Sequence, residues 1–91
     1  MTFKDLDFQP HKISPKTGIQ ASIKLGNGKI LSVVAGEGFY SNSREGIRKL
    51  ATSPDDVASF EIAVIDEVNP NFEVLGWQSR EDINKIIKNN E

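Results

Sequence analysis

The sequence predicts an α+β domain. It would hold an antiparallel sheet of four to five strands in two hairpins, a C-terminal helix packed on one face, and a long excursion over residues 36–58. Three observations carry that expectation. Residues 19–25 and 29–35 alternate in polarity around Asn27-Gly28, the pair preferred in type I′ turns because both central residues there take positive φ. Residues 60–67 are apolar on both faces, and residues 72–77 return after the turn string Val68-Asn69-Pro70-Asn71. Ser79 stands three residues before Asp82 and just ahead of Ile83, Ile86 and Ile87, which is a capping box opening an apolar helical stripe.

Taken in order, the chain opens with a smaller capping box. Thr2 is its N-cap and Asp5 its third position, so one turn would set Phe3 and Leu6 on a common side. Pro10 pushes Gln9 out of the helical region, which makes residues 8–13 an extended edge segment paired with 19–25. Ser14-Pro15-Lys16-Thr17-Gly18 reads as a turn with Gly18 in a left-handed position. In the central hairpin, a two-residue loop at Asn27-Gly28 sets Leu25 opposite Ile30, Ile23 opposite Ser32, and Ala21 opposite Val34.

Gly36-Glu37-Gly38 then breaks the strand. Ser43 caps a short helix over 44–50 that Gly46 weakens, and Ser53-Pro54-Asp55-Asp56 reads as a loop or capped turn. Phe60, Ile62 and Val64 point one way from the next strand, Ala63 and Ile65 the other. Trp77, between the last strand and the helix cap, is expected to be at least half buried against the Ile83 side of the helix.

The chain has 91 residues, 37% apolar and 26% charged, enough for one modest core. It has no cysteine, which excludes disulfides and thiolate metal sites. No apolar run reaches the roughly 18 residues of a membrane span, and MTFKDLDF has no signal-peptide core, so the expectation is a cytoplasmic protein with no membrane contact. The net charge of −2 hides an asymmetry: residues 1–50 carry +4 and residues 51–91 carry −6. The basic residues are dispersed and the pI is about 5.4, which argues against nucleic-acid binding.

The strings FKDLDFQPH, GIQASIKLGNGKILSVVAGEGFYS, SFEIAVID and VLGWQSREDI resemble small accessory proteins of unknown function encoded by tailed bacteriophages. The resemblance spans most of the chain outside residues 44–58. It implies expression in the cytoplasm of a bacterial host, and it carries no site residue onto this sequence.

The chemical inventory is mostly negative. His11 has no second histidine or cysteine with which to share a metal, and no Gly-x-Ser-x-Gly elbow accompanies any serine. Asp55-Asp56, Asp66-Glu67 and Glu81-Asp82 are sequence neighbours, so each pair diverges in a strand or serves a helix start. The expectation is no enzyme, no metal and no cofactor. Gly36, Gly38, Ser41, Ser43, Arg44, Arg48 and Lys49 form a candidate anion nest, which Glu37 opposes.

A packing argument remains. Two strands are apolar on both faces, and only one helix is there to cover them. The second face needs residues 36–58, the N-terminal Phe3, Leu6 and Phe8, or another chain. Phe39, Tyr40, Ile47 and Leu50 are thus candidate partner-binding residues. The leading reading is a non-enzymatic phage accessory protein that binds and modulates a host or phage protein, and that forms a homodimer. The alternatives are a small-molecule binding protein that sequesters an anionic, nucleotide-type ligand, and a purely structural or assembly component.

Overall fold

The computed structural model of the chain describes residues 1–13, 17–36, 39–43, 53–66, 68 and 73–91. Among these residues six strands, two 3-10 turns and one helix run in the order 3-10 turn Phe3–Asp5, β1 Gln9–Pro10, β2 Gly18–Lys24, β3 Ile30–Gly36, β4 Asn42–Ser43, 3-10 turn Pro54–Asp56, β5 Val57–Ile65, β6 Val74–Gln78 and α1 Arg80–Asn89. The sheet is antiparallel throughout, ordered β1-β2-β3-β5, and both β4 and β6 pair with the far edge of β5. With its two-residue strands β1 and β4 set aside it is a four-stranded sheet of two hairpins, and α1 packs on one face. This is the predicted α+β architecture.

Both capping boxes form. Thr2 Oγ1 accepts from Lys4 N, and Asp5 Oδ2 accepts from Thr2 N at 2.7 Å. At α1, Ser79 Oγ accepts from Asp82 N at 3.1 Å while Asp82 Oδ2 accepts from Ser79 N at 3.0 Å. These bonds, with Lys85 nearby, hold the Asp82 carboxyl below the ordinary aspartate range. Ser53 caps the Pro54–Asp56 turn. β5 starts at Val57, three residues before the expected Phe60, because that turn delivers the chain straight into the sheet.

The register of the central hairpin differs from the expected one by one residue. Ile19, Ala21 and Ile23 face Ala35, Val33 and Leu31. The loop is three residues long: Gly28 N donates to Leu25 O at 2.9 Å, Leu25 N donates to Lys29 O at 2.7 Å, and Gly28 alone takes positive φ, at 89°. That is a type I turn followed by a left-handed bulge residue, not a two-residue type I′ turn. A one-residue slip exchanges faces. Here it sets Ile19, Ala21 and Ile23 on one side with Leu31, Val33 and Ala35, and leaves Gln20, Ser22 and Ser32 on the other with Ile30 and Val34.

The apolar side carries the core. Leu31, Val33, Ala35, Phe60 and Ile62 are fully buried beneath Ile83 and Ile87 of α1. Each large side chain so buried contributes about 1.5–3 kcal/mol. Phe3, Leu6 and Phe8 join this same side: the Phe3, Phe8 and Phe60 rings cluster with centroids 5.2 to 5.8 Å apart. Arg80 closes the cluster. Its guanidinium lies 5.2 Å from both the Phe3 and Phe60 ring centroids and donates to the carbonyls of Val57 and Pro54.

The N-terminal segment therefore thickens the helical layer and does not cover the opposite face of the sheet, which among the described residues stays largely open. Gly18, expected in a left-handed position, instead opens β2 and pairs with Gly36, since only Gly28 and Gly36 among the described glycines have positive φ. The expected turn at residues 14–16 and the expected short helix over 44–50 fall outside the described residues.

Candidate functional site

The last strand contains a feature that works against local preference. Ile62 pairs with Leu75 and Phe60 with Gln78, so Glu61 alone stands opposite both Gly76 and Trp77. The extra residue makes a β-bulge. Trp77 sits in it at φ 53°, the only described non-glycine residue with positive φ. A left-handed conformation costs an ordinary side chain on the order of 1–2 kcal/mol. The bulge turns the indole away from the helix. Trp77 is 57% exposed and Tyr40 58%, against the expectation that Trp77 would be half buried beside Ile83.

Residues 39–41 hold this arrangement together as they cross the open face of the sheet. Trp77 N donates to Tyr40 O at 2.8 Å, and Tyr40 N donates to Glu61 Oε1 at 3.3 Å. The Tyr40 and Trp77 rings lie 5.3 Å apart, centroid to centroid, tilted by 41°. Gly76 makes the approach possible, because a Cβ there would lie 2.6 Å from the Cβ of Tyr40. Strand β6 also exposes Val74 and Leu75, and among the described residues it pairs with no strand but β5.

The other candidates divide. Phe39 packs inward: its ring lies 4.9 Å from that of His11, and a side chain at Gly18 would meet it. Ser41 Oγ accepts from Gly36 N at 3.1 Å and donates to Gly36 O at 3.3 Å, so these two members of the anion nest are bonded to each other. Gly38, Arg44, Ile47, Arg48, Lys49 and Leu50 fall outside the described residues, as does the side chain of Ser43. Of the two partner-binding candidates among the described residues, Phe39 and Tyr40, Tyr40 is the one presented to solvent. Sequence reasoning missed Trp77, although a glycine inside a strand pattern is a bulge signal and Gly76 is such a glycine.

The open face holds a shallow trough. A hollow of about 400 Å³ is lined by Asp7, His11, Gln20, Ser22 and Ser32, and one of about 250 Å³ beside it by Phe39, Glu61, Ala63 and Val74. His11 Nδ1 accepts from Ile13 N at 3.2 Å. Among the described residues no three His, Cys, Asp or Glu side chains gather as metal ligands. No described helix is long and apolar enough to cross a membrane. Compared with protein families, characterised proteins and solved structures, the chain matches none.

Proposed function

We propose that this domain is a non-enzymatic binding protein that engages another protein through Tyr40, Trp77 and the exposed strand β6. The observation that carries the reading is the exposed Tyr40–Trp77 pair, held outward by a backbone conformation that costs the fold stability. Strain of this kind is concentrated at binding and switch sites. Aromatic side chains are the residues most enriched at protein interfaces. The resemblance of several sequence strings to phage accessory proteins supports a host or phage protein in a bacterial cytoplasm as the partner.

Sequestration of an anionic small molecule draws less support, because the Gly36 amide and the Ser41 hydroxyl already satisfy each other.

The test compares capture from a bacterial lysate by the wild-type protein and by Trp77→Gly, with circular dichroism to verify the fold. Wild type is expected to retain a protein that the variant releases. Equal capture by both would remove Tyr40–Trp77 as the contact. A melting-temperature rise of several degrees with a nucleotide would favour the small-molecule reading instead.

A further inference from the structure

Between Val57 and Ser79 the sequence holds Glu61, Asp66, Glu67 and Glu73 and not one lysine, arginine or histidine. The β5–β6 hairpin that presents Trp77 therefore carries four acids and no basic residue, within a chain whose net charge is only −2. Glu61 is part of the aromatic site itself, since its carboxylate accepts the Tyr40 amide and faces the bulge. The nearest cation in sequence, Arg80, does not serve that site: its guanidinium lies between Phe3 and Phe60 and donates to the Val57 and Pro54 carbonyls.

We infer that the Tyr40–Trp77 pair receives an arginine or lysine side chain from a basic, extended segment of a partner protein laid along the edge of β6. This rests on the protein-binding reading above and adds the chemistry of the partner. A cation over an aromatic face is attracted by the ring quadrupole, Trp most strongly, and the carboxylates of the hairpin add to that attraction. A strand edge offers backbone groups to an extended peptide and leaves alternate side chains to give specificity. Residues alternating between basic and apolar would set cations on the Tyr40–Trp77 side and apolar groups toward Leu75, which is 41% exposed. An apolar segment without charge would instead strip water from the carboxylates with no compensation. An acidic segment is repelled.

The probe is the capped pentapeptide Arg-Val-Arg-Val-Arg, compared with the same peptide carrying neutral citrulline in place of arginine. Trp77 is the only tryptophan of the chain, so its fluorescence reports the site directly, and calorimetry gives the affinity. The arginine peptide is expected to shift Trp77 emission and to bind about tenfold or more tightly than the citrulline peptide, with an advantage that shrinks as salt is raised. Glu73→Gln, at an exposed position, is expected to weaken the arginine peptide alone. Trp77→Gly is expected to abolish binding while melting no lower than wild type, because glycine relieves the positive φ. Equal affinity of the two peptides would overturn the charge requirement and leave the protein-binding reading in place. Binding of neither peptide, with lysate capture still dependent on Trp77, would overturn the basic partner alone. Undiminished binding by both Trp77→Gly and Tyr40→Ala would place the site elsewhere.

Discussion

Gly28 and Gly76 are both glycines by necessity, for different reasons. No atom lies within 4 Å of a Cβ built at Gly28, but its φ of 89° is the bulge position of the β2–β3 loop. Gly28→Val is therefore destabilised through backbone strain alone, by on the order of 1–3 kcal/mol, and denaturant unfolding is expected to show a lower midpoint at an unchanged slope. At Gly76 the obstacle is the Cβ of Tyr40. Gly76→Ala is expected to cost about 1–3 kcal/mol as an overpacking change and to weaken the near-ultraviolet dichroism of the Tyr40–Trp77 pair. A variant with wild-type stability and dichroism would contradict the close approach. At this scale the sequence was partly legible. Asn27-Gly28 marked a tight turn, yet the same dipeptide serves loops of two and of three residues, and only the φ of Asn27 tells them apart. Trp77 escaped because its conformation is imposed by Tyr40, which lies 37 positions earlier in the chain.

Elements were read more easily than residues. Thr2, Ser53 and Ser79 each cap the turn or helix their position suggests, since a cap is a local bond that needs no tertiary partner. Register needs both strands at once, and the mismatch of the two-residue loop was visible: it set Gln20, Ser22 and Lys24 on the same face as Leu31, Val33 and Ala35. For α1 the cap sets an acid limit. The Asp82 carboxyl is held below its ordinary range by its bonds to Ser79, so the unfolded chain takes up its proton first as pH falls. The stabilisation is complete above roughly pH 4 and is lost as pH falls below that value toward the depressed folded one. Asp82→Asn is expected to flatten the decline of stability on that acid side. A decline as steep as in wild type would assign it to other carboxylates.

For the whole molecule, the sequence left open what would cover the second sheet face. The N-terminal phenylalanines joined the helical layer, which composition did not dictate, so among the described residues the second face keeps a trough lined by Phe39 and His11. We propose the homodimer that the sequence suggests: with charges of +4 and −6 on the two halves of the chain, a second copy would compete with a basic partner for the β6 edge. Sedimentation at micromolar concentration is expected to give twice the chain mass, and a species of one chain mass at every concentration would end the dimer. One further contact bears on how the fold is reached. Phe3 N donates to Asn84 Oδ1 at 2.7 Å across 81 positions, and Arg80 caps the Phe3 ring on the same side. The first turn and the last helix thus complete one cluster, and loop-closure entropy must be overcome before either gains from it. Neither hairpin alone contains that cluster. Refolding of so non-local a topology is expected to be slower than the microsecond-to-millisecond range of helical bundles, and Asn84→Ala is expected to speed unfolding more than it slows refolding, as it does where the two ends join after the rate-limiting barrier.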